Sequence, residues 1–486
     1  MADATAYRRR AVSAPKLPVA LALALSLGAC SMAPDYQPPQ TAAPAQFKEV
    51  AGWTAATPRD GEGRGPWWDA YADPTLADLE ARAAKASPTL AAALARFDAA
   101  RAAARVEQSD LFPQAGVSGQ ASRERVSQNR PLSTGSARKY DDYVVGGSID
   151  YELDLWGRIR NQVKAATAES DASRADLASA QLSLQAAVAD AYFRLRGLDA
   201  QAQVLDQSVE AFARAYDLTD KRHTGGVASG IDVNRARTVL GNARAQVATI
   251  ANQRAATEHE IAALVGEVAS GFSLPVAVAD FAPPAPPAAT PSDLLQRRPD
   301  IAAAERRVFA ANARIGVAKA AFFPSLTLGA AGGWETTNGQ LLTTPNTFWS
   351  LGPLTSLLTI FDGGRRSAQV KISRADYEET AADYRETVLT AFRQVEDAIA
   401  AMHHLSSAAV AQKEAADAAQ RTRDIAMSRY RDGAAGYLDV VTAQTDALDA
   451  ERAYITVQTQ RMQASVAFVK ALGGGVPAGS PTATGD

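Results

Sequence analysis

Apolar residues recur at intervals of three and four over a long stretch in the first half of the chain. They are Leu177, Leu184, Val188, Tyr192, Leu195, Leu198, Ala202, Leu205, Val209, Phe212 and Tyr216. With one polar place at Gln181, the mean step is about 3.5 residues, which is the period of a left-handed coiled seam. Residues 158–223 contain no proline and a single glycine, Gly197. This pattern predicts one nearly continuous helix of about 66 residues, roughly 100 Å long.

Two glycine-rich stretches interrupt the helical pattern. The first, residues 224–230, reads TGGVASG and precedes a second helix that we predict over residues 231–265. The other, residues 432–436, reads DGAAG. Because glycine adopts tight backbone conformations easily, each stretch predicts the turn of a long helical hairpin.

The chain contains an internal repeat. Pro88–Pro113 matches Pro299–Pro324 at an offset of 211 residues, and Gly157–Gly266 matches Gly364–Gly473 at an offset of 207 residues. Residues 275–293 are rich in proline and predict a stiff, extended connector between the copies. Each copy is expected to hold one helix, two strands and a long helical hairpin.

These patterns divide the chain into six segments. They are a leader (1–29), an N-terminal segment (30–80), a first repeat (81–266), a proline-rich connector (267–293), a second repeat (294–473) and a C-terminal tail (474–486).

The period of the apolar positions changes to two between the first helix of each repeat and the long one. In residues 143–155, apolar Tyr143, Val145, Gly147, Ile149, Tyr151, Leu153 and Leu155 alternate with a side that carries Asp150, Glu152 and Asp154. Such alternation is expected of a strand with lipid outside and water inside. Residues 326–334 repeat it more weakly, and 114–125 and 345–358 are expected to supply two more strands, with a bulge or an early end at Pro353. Ordinary surface hairpins would show a similar pattern.

Four strands cannot close a membrane barrel alone. Strands exposed to lipid must close because unpaired backbone groups are too costly there, and single-chain barrels begin at about eight strands. Membrane-spanning strands would therefore require an oligomer, in which two chains supply eight strands and three supply twelve. Eight strands leave an interior filled by side chains, so a channel favours three chains.

Composition excludes several classes of protein. The 486 residues carry 50 Lys+Arg against 53 Asp+Glu, which argues against a basic nucleic-acid binder. One cysteine excludes an internal disulfide and a CxxC site, and four histidines argue against a histidine-rich metal centre. The chain has no G-x-S-x-G, HExxH or phosphate-binding loop, so we expect neither an enzyme nor a cofactor.

The first thirty residues predict a secretion signal. Basic residues at 8–10 and 16 precede an apolar run, residues 17–27, that is too short to span a bilayer. The run ends in LGAC and resembles the lipobox of bacterial lipoproteins, in which the cysteine becomes the acylated first residue. Cys30 is therefore expected to carry a covalent lipid. Plain secretion with a buried cysteine is the alternative.

Seven short strings resemble the TolC/NodT family of outer-membrane efflux lipoproteins, in order and over essentially all of the mature chain. They are Pro34-Asp35-Tyr36, Pro66-Trp67-Trp68, Asp73-Pro74-Thr75-Leu76, Arg298-Pro299-Asp300-Ile301, Ala321-Phe322-Phe323-Pro324-Ser325-Leu326, Phe361-Asp362-Gly363-Gly364 and Ala391-Phe392-Arg393-Gln394-Val395-Glu396-Asp397.

The resemblance implies a mainly α-helical protein with a membrane β-barrel. In this architecture a homotrimer shares one twelve-stranded barrel in the outer membrane of a Gram-negative bacterium and a helical barrel in the periplasm. The segment after Cys30, the connector and the tail would form an equatorial region. The implied partners are a periplasmic adaptor and an inner-membrane transporter.

The resemblance also implies a periplasmic gate near the two turns. Tyr430 would bond Asp232, and a constriction would follow at Leu438, Asp439 and Thr442. A ring of three Asp439 carboxylates would attract cations, and a ring of leucines would narrow the tunnel.

Two positions depart from the family pattern of the gate. Ala435 stands where some members have an arginine, and Thr442 stands where others have a second aspartate. As an alternative or additional role, Asp232 and Asp439 would be helix N-cap or first-turn residues favoured by the helix dipole. The turns are also implied adaptor contacts, through Gly225, Gly226, Ser229, Gly230, Gly433 and Gly436.

Three functions fit these observations. The first is a passive, gated conduit of a tripartite efflux system for small molecules such as drugs. The second is the exit duct of a type I protein-secretion system, since both share this architecture. The third is a structural coiled-coil lipoprotein without a pore. The lipobox and Trp67-Trp68 favour small-molecule efflux.

Overall fold

A computed structural model describes residues 31–38, 65–129, 138–278, 282–284, 297–337, 339–340 and 342–474. These residues form seven α-helices and four β-strands. The helices are α1 (Pro74–Ala86), α2 (Pro88–Ser109), α3 (Arg158–Thr224), α4 (Gly230–Leu264), α5 (Pro299–Ala320), α6 (Arg365–Arg431) and α7 (Tyr437–Ala471). The strands are β1 (Gln114–Val126), β2 (Arg138–Glu152), β3 (Ser325–Thr336) and β4 (Thr347–Leu357).

The helices confirm both the predicted length and the internal repeat. Helices α3 and α6 each span 67 residues, α4 and α7 each span 35, and α2 and α5 each span 22. Each pair begins at the predicted offset. The six-segment division stays a prediction, and helix α1 runs across its boundary at residue 80.

The four strands form one antiparallel sheet in the order β1-β2-β3-β4. Strand β2 pairs with the whole of β1 from Arg138 to Asp150 and with β3 from Tyr143 to Glu152. Within a single chain, β1 and β4 each have a partner on one side only. The sheet is therefore open at both edges.

The prediction that β2 continues to residue 155 is wrong, because the strand ends at Glu152. The amide of Leu153 still donates to the carbonyl of Leu326 at 2.8 Å. The carboxylate of Asp154 then accepts a hydrogen bond from the amide of Arg160 at 2.9 Å, in the first turn of α3. Apolar and acidic residues still alternate in residues 153–155, but this segment turns toward α3 and is no longer part of the strand.

Strand β4 contains the predicted bulge at Pro353. Leu354 pairs with Leu328 and Leu351 pairs with Ala330, so β4 has one extra residue at this point. The predicted alternative, an early end of the strand, is wrong because β4 continues to Leu357.

The described residues fall into two compact units. One consists of the described parts of Met1–Pro38, Ala99–Asp171 and Arg306–Ala382 and contains the sheet. The other consists of the described parts of Pro39–Asp98, Ala172–Glu305 and Asp383–Asp486.

The largest core of the second unit lies around α1 and the middle of α3. Fully buried Leu76 and Leu79 of α1 pack in one cluster with Tyr192 of α3. Asp73 caps α1 by accepting the amides of Thr75 and Leu76 at 2.8 and 3.1 Å. The Tyr192 hydroxyl donates to the same carboxylate at 2.5 Å, which ties α1 to α3.

A buried network of charged residues joins α3 and α4. Asp199 is completely buried and accepts hydrogen bonds from Arg196 at 2.9 Å and from Arg254 at 2.7 Å. Arg254 also donates to Glu258 at 3.2 Å. Each buried charge is thus paired, as burial requires.

This network also binds the first residues after the hairpin. Arg196 donates to the Pro275 carbonyl and Arg254 to the Leu274 carbonyl, both at 2.8 Å. The amide of Ala277 donates to Asp199 at 3.2 Å. The start of the proline-rich connector is therefore fixed against the helices.

Candidate functional site

One face of the sheet is apolar, and we call it the apolar face. Its apolar residues are Ala115, Val117, Gly119, Ala121, Tyr143, Val145, Gly147, Ile149, Tyr151, Leu328, Ala330, Gly332, Trp334, Trp349, Leu351 and Leu354. At the end farther from the helices, the same face carries the charged residues Arg123, Arg125, Lys139 and Asp141. Val117, Trp349 and Leu351 are 86%, 82% and 78% exposed in the single chain. A continuous exposed apolar surface of this kind needs a membrane or a protein to cover it.

The opposite face, which we call the polar face, carries carboxylates. Its polar residues include Gln120, Ser122, Glu124, Asp142, Ser148, Asp150, Glu152 and Glu335. Tyr140 donates its hydroxyl hydrogen to Glu124 at 2.9 Å on this face. An apolar face and a polar face on the same strands are typical of a barrel that separates lipid from water.

Aromatic and charged side chains lie where the strands join the helices. Trp156 stacks on Phe323 with ring centroids 4.7 Å apart, and its indole nitrogen donates to the Pro324 carbonyl at 2.8 Å. Beside them, Arg158 of α3 forms a 2.8 Å ion pair with Glu152 of β2. Aromatic rings with adjacent polar groups suit the edge of a bilayer.

The segment after the predicted lipid site is held near this junction. The Ser31 hydroxyl donates to the side-chain oxygen of Asn161, in the first turn of α3, at 3.0 Å. Asn312 of α5 donates to the Pro34 carbonyl at 2.9 Å. Cys30 itself lies outside the described residues, so its acylation stays a prediction.

The two glycine-rich stretches form the predicted hairpin turns. Gly226 and Gly433 adopt positive φ values of 79° and 75°. After Gly226, the amide of Val227 donates to the Arg222 carbonyl at 2.8 Å, and the amide of Ala434 makes the equivalent 2.8 Å bond in the second turn. The turn residues named as adaptor contacts are exposed, namely Gly225, Gly226, Ser229, Gly230, Gly433 and Gly436. Adaptor contact stays a prediction.

The two predicted gate aspartates occupy the same place at the start of their helices. Asp232 accepts the hydroxyl hydrogen of Ser229 at 2.8 Å and lies 4.0 Å from Arg235. Asp439 accepts the amide of Gly436 at 3.2 Å. Both carboxylates therefore have the capping geometry that was the alternative role.

The structure places Tyr430 beside a different partner from the one that the resemblance implies. Tyr430 is 4% exposed, and its hydroxyl lies 3.0 Å from the hydroxyl of Thr219. The Arg222 guanidinium lies 4.4 Å from the centre of its ring. Within the described residues of one chain, Tyr430 has no hydrogen bond to Asp232. Its role in a gate stays a prediction.

A second tyrosine, which the sequence did not single out, lies beside Tyr430. The rings of Tyr430 and Tyr437 are 5.8 Å apart. The Tyr437 hydroxyl is buried and has no hydrogen-bond partner in the described part of the chain. Burial, with smaller contributions from Tyr430 and Asp232, raises the pKa of Tyr437 to about 12.

The predicted constriction residues share an exposed face of α7. Leu438, Asp439 and Thr442 are all exposed in the single chain, and Leu438 is 53% exposed. Thr442 is four residues after Leu438 and three after Asp439, and residues at these spacings are neighbours on a helix surface. These side chains are thus available to face a tunnel or a neighbouring copy.

The network of Arg196, Asp199, Arg254 and Glu258 was not among the features predicted from the sequence. The sequence did contain a sign of this network. Arg196 and Asp199 directly follow Leu195 and Leu198, two apolar residues of the seam of α3.

Among the described residues, no group of three or more His, Cys, Asp or Glu side chains is placed to hold a metal ion. None of the helices in the described part of the chain is both long and apolar enough to cross a membrane.

The sequence matches the model of the outer membrane efflux protein family over residues 79–267 and 290–474. It is 33% identical over 455 residues to the probable efflux pump outer membrane protein TtgC of Pseudomonas putida strain KT2440, covering 93% of this chain and 94% of TtgC. It is 34% identical over 471 residues to the outer membrane protein OprJ of Pseudomonas aeruginosa PAO1, covering 94% and 95%.

The fold is also similar to that of the outer-membrane channel OprN. The TM-score is 0.84 at 30% identity, over 92% of this chain and 99% of OprN. These similarities confirm the resemblance seen in the short strings, and the chain belongs to the outer membrane efflux protein family.

Proposed function

We propose that three copies of this chain form a passive, gated conduit through the outer membrane. The observation that carries the proposal is the four-stranded sheet, with an exposed apolar face, a carboxylate-bearing face and two open edges. Pairing β4 of one copy with β1 of the next would satisfy both edges and close a barrel of twelve strands. The apolar face would then contact lipid and the polar face would line the lumen.

The conduit would export small molecules such as drugs that an inner-membrane transporter delivers through a periplasmic adaptor. TtgC bears the name of an efflux pump outer membrane protein, which supports this role. The conduit itself would need no cofactor and catalyse no reaction, because the transporter supplies the energy. The paired long helices α3–α4 and α6–α7 would form the periplasmic part, with the exposed turns as adaptor contacts.

Two further features belong to this proposal. Cys30 would carry a lipid that joins the bilayer near the strand–helix junction, where Ser31 is bonded to Asn161. Asp439, Leu438 and Thr442 would form the constriction, with Asp232 and Tyr430 stabilising the closed turns.

The proposal is tested by measuring the mass of the purified protein in detergent together with its conductance in planar bilayers. We expect a trimer with small currents that prefer cations. A monomer that does not conduct would contradict the shared barrel and favour a structural lipoprotein instead.

A further inference from the structure

Phe348 lies on the polar face near the end of the sheet that is farther from the helices. It is the second residue of β4 and pairs directly with Gly333 of β3, which in turn pairs with Gly146 of β2. A β-carbon added to Gly146 would lie 3.3 Å from Cζ of Phe348. The ring therefore extends across β3 and lies along the surface of the sheet.

Glycines form the surface beneath this ring. On the polar face, Gly146 of β2 pairs directly with Gly333 of β3, so two adjacent strands lack side chains beneath the ring. Glycine weakens a strand interior and often marks a place where another group approaches closely. Here that group is the phenyl ring, which is half-buried and keeps one side open to the proposed lumen.

Carboxylates lie on the same face as the ring. Glu335 of β3 is two residues beyond Gly333, and Asp142 of β2 is farther along the strand, four residues before Gly146. Neither carboxylate forms an ion pair within the described residues. An aromatic face attracts cations through its quadrupole, and nearby carboxylates add to that attraction.

We propose that Phe348 is a contact site for aromatic organic cations inside the barrel. The inference rests on the proposed function, because the polar face lines a lumen only in the closed oligomer. Three copies would supply three such rings near the outer end of the conduit. A passing planar cation would stack on the open side of the ring while its charge faces Glu335.

The inference is tested by blocking single-channel currents of the full-length protein with ethidium. The ethidium is added to the compartment into which the outer end of the barrel opens. Spermidine, a cation without an aromatic ring, serves as the second probe. We expect Phe348→Leu to raise the ethidium concentration for half-block by about fivefold and to leave the spermidine value unchanged. The leucine keeps an apolar cover over the glycines, so the strand pairing is preserved.

Trp349→Leu is the matched control, because Trp349 is adjacent and aromatic but lies on the apolar face. We expect this variant to retain the wild-type block by both cations. An unchanged ethidium block in Phe348→Leu, or an equal shift for both cations, would overturn the contact site while leaving the conduit intact. A wild-type protein without conductance would overturn the conduit and the contact site together.

Discussion

At the scale of single residues, Gly197 determines how closely two helices approach. A β-carbon at this position would clash with the hydroxyl and methyl groups of Thr459, so α3 and α7 touch through a bare backbone here. Gly197 is the one glycine of this 67-residue, alanine-rich helix. Its cost to helix propensity, about 1 kcal/mol, is offset by this close packing.

We expect Gly197→Ala to destabilise the protein by about 1–3 kcal/mol, because overpacking forces the two helices apart. The measurement is the midpoint of unfolding in denaturant, with circular dichroism as the signal that monitors unfolding. Gly241→Ala in α4, where an added β-carbon has open space, should instead be neutral or stabilising. Equal effects of the two substitutions would show that Thr459 imposes no constraint.

Glu80 is a buried carboxyl without a partner. It is 1% exposed, and neither side-chain oxygen has a hydrogen-bond partner in the described structure. Burial raises the pKa of Glu80 from 4.5 to about 9, so the folded protein keeps this group protonated at neutral pH. The unfolded chain releases the proton at much lower pH.

Stability should therefore fall by up to about 1.4 kcal/mol per pH unit as the pH rises from about 5 to 8. Glu80→Gln removes the titrating group and should flatten this dependence, becoming more stable than wild type at pH 8 and similar at pH 5. The check is the free energy of unfolding at both pH values. Parallel pH profiles for the two proteins would rule out a neutral buried Glu80.

At the scale of elements, the buried network of Arg196, Asp199, Arg254 and Glu258 distinguishes the first helical hairpin, α3–α4, from the second, α6–α7. In the second repeat the positions of Arg196, Asp199 and Glu258 are taken by His403, Ser406 and Ser465. Among the residues that the structure describes, the charged groups that bind the connector in this way therefore belong to the first hairpin. The repeat conserves helix length while this stabilising contact is specific to one copy.

We expect Asp199→Ala to destabilise the protein by about 3–5 kcal/mol, because it leaves buried Arg196 and half-buried Arg254 without their shared carboxylate. Limited proteolysis should also cut the connector near Ala277 faster, since that amide loses its acceptor. Asp206→Ala, at an exposed position of α3, is the control and should change neither property. Unaltered cleavage in Asp199→Ala would show that other contacts hold the connector.

The Asp439 carboxylate at the start of α7 has a structural role in helix capping and a proposed functional role in the constriction. Asp439→Asn keeps an oxygen that accepts the Gly436 amide but removes the charge, so helix capping and the proposed ring of charge are separated. We expect the cation preference of the current to fall with little loss of stability. Reversal potentials in a salt gradient measure this preference. Asp417→Asn, at a partly exposed residue of α6 that pairs with Lys413, is the control and should leave the preference unchanged. The same cation preference in both variants would exclude Asp439 from the constriction.

At the scale of the whole molecule, the barrel rather than the lipid should hold the protein in the membrane. We expect Cys30→Ser to lose the mass of the acyl chains while the protein stays in the outer-membrane fraction as a trimer. Intact mass and membrane fractionation test this directly. Release of the variant into the soluble fraction would contradict membrane-spanning strands.

The sequence predicted those parts of the fold that repeat along the chain. The heptad spacing gave the length of α3, and the alternation around Tyr143 located a strand, because both patterns reflect a single long element. Side-chain partners were harder to predict. The pairing of Tyr430 with Thr219 depends on the rotation of two helices, and the burial of Glu80 and Asp199 runs against the usual exposure of charged residues.

The open edges of β1 and β4 bear on how the protein is made in the cell. A newly secreted copy exposes two rows of unpaired backbone groups and an apolar surface, which together are a template for aggregation. Correct closure requires other copies of the same chain, so its rate rises with the local concentration of newly made protein. Biogenesis therefore depends on holding each copy apart from incorrect partners until enough copies have gathered at the membrane.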